Sequence, residues 1–563
     1  MGRIFENYQK NNEYLRIGPY SRTHKINIYA IMINSMGKIA KYLNQLMVGN
    51  VFDNPEVLEA YATDRSALKI KPKFVAFPES TDDIRKLLRF FNQLAAKNIK
   101  VAVTARGAGH DTGGAAITNG VIVSTEKLNK LLEIDPRERL VHVQAGITLK
   151  ELNTALSVSG LTIPVEGHGD ETIGGLISNC LIDNCAEKYG GIEEYVERIE
   201  VVLANGECLQ TNRLKKYAVA KKAAEKSFEG MLYQKIAKIV HDKRGLITEI
   251  GEHEKDLTGY PKIAKVEKKE TLDLMPLFFG AEGTLGIISE VILRAAPLGY
   301  RPTRAIATFR DLEPALEYMK AVKELKPERL NFYDLNIIRE ARETGKNLDG
   351  VIRRFEDGYV VFTSFSERMG LKMKKVLALK EKAPRNAKFT FESPETRTTL
   401  DEFENSLTNY LSYVKNGERV PILTDFYLPD YNIAGFLQDL KVLAEKLELD
   451  LALYGSYATG IYNLRPKFNL ETEDYRKKAT TFLRAGAYVI SRQGGKLAGG
   501  MPEGRLKAVV TNGEMPEPEK ALYTEIKQLF DANGILNPDV KLGANSRFTL
   551  THFRSVNQPE IML

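Results

Sequence analysis

Residues 101–114 read VAVTARGAGHDTGG, a β-branched run that breaks into four glycines within eight residues: Gly107, Gly109, Gly113 and Gly114. Glycines so spaced let consecutive backbone N–H groups turn toward one centre, a nest suited to a pyrophosphate. A Rossmann loop needs GxGxxG opening a helix. Here the order is G-x-G-x-x-x-G-G, and residues 115–125 read as another strand. A dinucleotide phosphate site therefore fits and a Rossmann fold does not. Alone, the loop carries little weight, because glycine-rich hairpins are common.

Two more glycine clusters lie further on. PVEGHGDETIGG (164–175) is followed by Asn179, and FGAEGTLGIISE (279–290) runs into a strand. Three loops that bring bare backbone close to something exceed what turns require. One extended ligand threaded through a domain explains all three.

Around these loops the pattern is mixed. Residues 74–78 (FVAFP) read as a strand, and Ser80-Thr81-Asp82-Asp83 caps a helix through Leu94-Ala95. Strands follow at 101–103, 121–123 and 140–143, then a helix from Thr148 to Ser157, then strands at 199–203 and 287–293. The lysines at 215, 216, 221, 222 and 226 read as a solvated helix face. After Pro297 longer helices take over, such as 312–325 and 433–447, which marks a second domain. No repeat of fixed period is visible. The class is α+β.

Composition narrows the function. The 563 residues make several domains, with 43% hydrophobic and 27% charged residues. Cys180, Cys185 and Cys208 are too few for a four-cysteine iron-sulfur cluster and lack zinc-site spacing. Any redox chemistry falls to an organic cofactor. A net charge of +7 over this length is too dilute to imply nucleic acid. The opening MGRIFENYQKNNEYLR is not a secretory signal, and no apolar run is long enough to span a membrane. Residues 26–48 form an amphipathic helix that either docks on the body of the protein or touches a membrane surface through Lys38 and Lys41. The expected location is cytoplasmic, with peripheral contact at the inner membrane face left open.

The ordered series RGAG (106–109), TIGG (172–175), VVLANGE (201–207), FGAEGTLGIISEVILR (279–294) and FDANGILNP (530–538) resembles the flavoproteins of the vanillyl-alcohol oxidase and p-cresol methylhydroxylase (PCMH) superfamily. Within it the chain is most similar to FAD-linked D-lactate, D-2-hydroxyglutarate and glycolate dehydrogenases, from residue 61 onward. The resemblance implies a two-subdomain PCMH-type FAD-binding domain at 51–297, preceded by a helical extension at 1–50. It implies an α/β substrate (cap) domain at 298–525, an antiparallel sheet flanked by helices, and a C-terminal return at 526–563 that completes the FAD site. FAD is then expected against Arg106, Gly107, Ala108, Gly109, His110, Asp111, Gly113 and Gly114, against Thr172, Gly174, Gly175 and Asn179, and against Gly280, Glu282, Gly283, Gly286, Ile287 and Asn537.

Two departures from the resemblance stand out. The hydroxy-acid dehydrogenases usually carry threonine or serine where this chain has His110; sugar and alkaloid oxidases of the superfamily place there a histidine bonded to the flavin 8α carbon. FAD is therefore expected either covalently at His110 or with His110 hydrogen-bonded to it. Relatives also carry GHxGxGxxHxRP and GEHGDGR, whose histidines and glutamate bind a divalent metal. Here the sequences are GSYATGIYNLRP (455–466) and GGMPEGR (499–505), so the ligands have become Ser456, Asn463, Gly500 and Met501. Such a set makes a poor metal site, and no metal is expected. The cations Arg465 and Arg505 survive as candidates to hold a carboxylate or phosphate. Tyr457, Tyr462 and His168 are candidates to accept a hydroxyl proton.

The leading reading is an FAD-dependent oxidoreductase taking a hydride from a hydroxyl-bearing carbon of a D-2-hydroxy acid. The alternatives are a sugar, polyol or alcohol oxidase with covalent FAD using O2, and a flavin-binding protein that has lost catalysis. Relatives append an iron-sulfur module after a half of this kind, and none follows before Leu563. The electrons are expected to leave the flavin for oxygen, a quinone or a separate redox protein.

Overall fold

The structure, a computed structural model, describes residues 37–167, 169–343, 358–382, 387–412, 419–469 and 474–554. Two sheets, of four and five strands, dominate the described first half, beside two small ones of three and two strands. In the four-stranded sheet, Asn50–Phe52, Phe74–Phe77, Val121–Ser124 and Val103–Arg106 lie in that order, and the last three run parallel. Parallel strands need a crossover, and helix Thr81–Ala95 supplies one. It starts where Ser80 accepts a hydrogen bond from the Asp83 N–H, and it buries Leu87, Leu88, Phe91 and Leu94 against the sheet. The strand expected at 101–103 begins only at Val103, and the one expected over 115–125 shrinks to Val121–Ser124. Residues 115–120 turn instead, because the Asp111 carboxylate takes the Ala115 N–H.

The second sheet is five-stranded and antiparallel, ordered Leu131–Asp135, Leu140–Gln144, Ile287–Arg294, Val196–Val202, Cys208–Gln210. Its apolar face joins helices Leu149–Ser157, Ile173–Asn179 and Phe228–Asp242 in one core. Helix Leu149–Ser157 starts on a capping box made by Thr148 and Glu151.

A seven-stranded antiparallel sheet forms the second half, in the order Lys388–Phe391, Thr303–Phe309, Tyr359–Phe365, Arg329–Asp334, Leu451–Ser456, Ile461–Pro466, Leu423–Tyr427. One face, with Phe332, Leu453, Tyr462 and Leu464, packs on helices Leu312–Lys323, Ile433–Leu447 and Tyr475–Arg492. The other face is covered in part by helices Leu335–Glu343 and Arg397–Ser412. The uncovered part of that face turns toward the first half.

Of the amphipathic stretch 26–48, residues 26–36 lie outside the described residues. Helix Gly37–Leu46 buries Ile39, Ala40 and Leu43 with Phe90 and Phe91, so this part docks on the protein body. Among the described residues no helix is long and apolar enough to cross a membrane. After helix Glu517–Phe530 the chain returns to the first sheet. The Val103 N–H donates to the Ile535 carbonyl at 2.7 Å, and the Asn537 N–H donates to the Val103 carbonyl at 2.9 Å.

Candidate functional site

A cavity of about 330 Å³ lies between the two halves, lined on one side by residues 105–112 and on the other by the uncovered sheet face. The glycine loop is shaped by its own side chains. The Asp111 Oδ1 accepts the N–H groups of Gly113 and Ala115, each at 2.8 Å, and the Asn179 amide donates to Oδ2 at 3.3 Å. Burial pushes the Asp111 carboxyl up to about 6. Arg106 is buried, donates to the Thr63 carbonyl at 2.7 Å and lies 5.0 Å from the Tyr61 ring centre. At Gly107 a Cβ would sit 2.2 Å from the Thr172 Oγ1; at Gly109, with φ +75°, it would sit 2.3 Å from the Arg106 guanidinium. Both positions must be bare, which leaves backbone as the wall and fits a bound pyrophosphate.

His110 lines the cavity beside Arg65, whose Nη2 lies 3.0 Å from the imidazole Nε2. The same nitrogen is 3.0 Å from the Asp170 carboxylate, and Nδ1 is 3.6 Å from Glu171. Thr172, Gly174, Gly175 and Asn179 also line it, as do Glu282, Gly283, Gly286 and Ile287. These residues supply a glycine-walled cradle that fits a bound FAD.

Gly113, Gly114, Gly280 and Asn537, expected at the cofactor, do not line the cavity. A Cβ on Gly504 would meet the Gly113 carbonyl carbon at 2.4 Å, so the two loops pack backbone to backbone. Gly114 packs against Leu68 and Ser66, and the Gly280 N–H bonds the Ile177 carbonyl. The Asn537 amide donates to the carbonyls of Ala115 and Glu282 and accepts from Thr104 and Arg505. It is a knot beneath the loops, outside the cavity lining. The Glu282 carboxylate accepts from the Gly504 N–H at 2.9 Å and lies 3.6 Å from Lys541, while burial pushes it up to about 8.

On the sheet side, alternation decides which side chains arrive. Ile461, Asn463 and Arg465 share one face, facing Tyr454 on the neighbouring strand and Asn331 and Tyr333 on the next. Tyr462, three positions before Arg465, points to the opposite face and is sealed in the core. Tyr457 lies past its strand's end, buried with Lys323 over its ring at 5.6 Å. Arg505 is also withdrawn, since its guanidinium donates to the Ile117 and Pro538 carbonyls and to Asn537. Of the proposed cations and proton acceptors among the described residues, only Arg465 reaches the cavity, 4% exposed with its guanidinium 5.7 Å from the Tyr454 ring centre. His168 lies outside the described residues.

The former metal positions are occupied differently. The Asn463 Oδ1 accepts the Asp425 N–H at 3.0 Å, the Ser456 Oγ accepts from the Thr459 N–H, and the Gly500 N–H donates to the Asp425 carbonyl. Sequence reasoning missed Asp425. It sits at a β-bulge with φ +53°, which swings its carboxylate into the cavity, where the Thr112 hydroxyl donates to Oδ2 at 3.0 Å. The buried Lys507, whose ammonium is disfavoured by burial, stands close enough to be steadied by this carboxylate. Also missed were Asn331, Tyr333, Tyr454 and Arg329; strand parity from Arg465 reaches Asn463, and register reaches the rest.

Residues 72–212 match the family described as FAD binding domain, and residues 301–540 match the FAD linked oxidases, C-terminal domain. The chain is 25% identical over 532 residues to a D-2-hydroxyglutarate dehydrogenase of Haemophilus influenzae, covering 89% of this chain and 51% of that protein. It thus spans about half the length of the D-2-hydroxyglutarate dehydrogenases it matches. A D-lactate dehydrogenase of Archaeoglobus fulgidus is 24% identical, covering 85% of this chain and 95% of that one. Among solved structures, a 4-ethylphenol oxidase from Gulosibacter chungangensis superposes with a TM-score of 0.66 at 14% identity, covering 91% of this chain and 99% of its own.

Proposed function

Because the chain belongs to the FAD-linked oxidase family, we propose that it oxidises the hydroxyl-bearing carbon of a D-2-hydroxy acid without a metal. The observation that carries this reading is that Arg465 and Asp425 enter, from the sheet side, the same cavity that the 107–112 loop walls from the other. FAD, when bound, supplies the acceptor for the hydride.

The chain's own residues divide the remaining work. Arg465 holds the substrate carboxylate, for which a guanidinium offers a two-pronged match. Asp425 takes the hydroxyl proton at Oδ1, its Oδ2 being held by Thr112. Ile461, Met501 and Leu181 wall the cavity with apolar surface and exclude water. His110 is the proposed attachment point for the cofactor, which its place on the cavity wall supports.

The test is anaerobic addition of D-2-hydroxy acids to the yellow protein. Bleaching of the flavin band is expected, with the Arg465→Met variant needing about a hundredfold more acid, in the range for a lost charge-assisted pair. Release of H2O2 in air, against reduction of a dye or quinone, identifies the acceptor. No bleaching with any hydroxy acid overturns the proposal.

A further inference from the structure

The sheet face of the cavity describes the body of the substrate, and this inference rests on the hydroxy-acid reading above. Rings follow one another away from Arg465. Its guanidinium lies over Tyr454; Tyr454 and Tyr333 stack with centres 6.5 Å apart; Tyr333 meets Phe403 edge-on at 6.3 Å; Phe403 and Phe362 stack at 6.4 Å. All four aromatic residues line the cavity, with Leu407 beside them. A two- or three-carbon acid would leave this surface wetted.

The second cation of this wall is committed. Arg329 bonds Glu166 at 3.1 Å and Glu404 at 2.7 Å. The Glu166 and Glu404 carboxylates flank that end of the cavity. A second substrate carboxylate placed there would meet negative charge and an arginine already neutralised.

A third observation is polar. Asn331 is 5% exposed and lines the cavity; its amide nitrogen donates to the Tyr333 hydroxyl at 3.2 Å, while its Oδ1 has no hydrogen-bond partner. A buried acceptor left alone carries a desolvation cost that a donor on a ligand relieves. On the register, Asn331 lies opposite Ser456 and Arg465 opposite Ala452, so the two stand at opposite ends of the aromatic row.

We propose that the substrate is a D-2-hydroxy monocarboxylic acid whose side chain is an aromatic ring bearing a hydroxyl group, the carboxylate on Arg465 and the remote hydroxyl on Asn331. Rings 333, 454, 362 and 403 enclose its flat body. Asn331 is then a specificity-determining residue, since a site built to bond a hydroxyl discriminates strongly against the analogue that lacks it.

The test uses the FAD-loaded protein and measures kcat/KM for anaerobic flavin reduction by four acids: D-lactate, D-2-hydroxyglutarate, D-3-phenyllactate and D-3-(4-hydroxyphenyl)lactate. The aryl acids are expected to exceed lactate by about a hundredfold, and the hydroxyphenyl acid to exceed the phenyl acid by at least about tenfold. In Asn331→Leu the advantage of hydroxyphenyl over phenyl is expected to vanish. Best reduction by lactate or hydroxyglutarate overturns this inference and leaves the hydroxy-acid reading standing. Equal rates for the two aryl acids in the unmodified protein overturn the role of Asn331. Dithionite bleaching with no response to any of the four acids overturns both.

Discussion

The Thr112 hydroxyl donates to the Asp425 Oδ2 at 3.0 Å, joining the glycine loop of one half to the bulged strand of the other. This contact fixes the carboxylate assigned to the proton. Replacing it by Asp425→Asn keeps the shape and removes the base. The first-order rate of flavin reduction at saturating substrate is expected to fall about 10²–10⁴-fold while the visible spectrum persists. An unchanged rate would move the proton elsewhere.

Gly109→Ala places a methyl group where the backbone is left-handed and the Arg106 guanidinium lies 2.3 Å away. Arg106 is itself buried and bound to the Thr63 carbonyl, so the loop must open instead. The purified variant is expected to be colourless and to regain little absorbance with added FAD. A fully yellow variant would show that the cofactor does not lean on this loop.

His110 offers a test that needs no substrate. After acid precipitation the yellow colour is expected to stay in the pellet, and in His110→Ala to pass to the supernatant. Colour leaving the unmodified protein would make His110 a hydrogen-bonding neighbour only.

Asp183 gives a pH dependence. Its oxygens accept the N–H groups of Glu166 and Cys185, but burial and the nearby Glu166 push its carboxyl up to about 8. The folded protein therefore keeps a proton that the unfolded chain loses near pH 4, as ordinary carboxyls do at about 3.9. Its contribution to stability is full below about pH 4 and is lost as pH rises toward 8, at about 1.4 kcal/mol per unit. The melting temperature of the unmodified protein, less that of Asp183→Asn, is expected to fall from pH 5 to pH 8. A flat difference would place the proton on another group.

Local signals were readable. Ser80 and the spacing after it define helix Thr81–Ala95, and the apolar period over 433–447 defines a helix with those ends. The glycine loop's place on the cavity wall was legible because its spacing is written in consecutive residues. What failed was longer in range. Tyr462 and Arg465 are an odd number of residues apart on one strand, which puts them on opposite faces; proximity in sequence obscured this. Arg505 is consumed by carbonyls from residues 117 and 538, a pairing no local pattern announces. Asp425 depends on a bulge, and a run such as LTDFY reads as plain alternation.

The return of residues 535–537 to strand Val103–Arg106 also sets a timetable. Thr104 leaves the ribosome 433 residues before Asn537, the residue it bonds. At ~5–20 residues per second that is roughly 20–90 s. Throughout that interval the nascent sheet presents an open strand edge, ready to pair with a stranger. The glycine loop that follows this strand cannot set until residues 535–537 arrive. The junction is thus a late step of biogenesis, and the vulnerable species is the chain that still lacks residues 535–537.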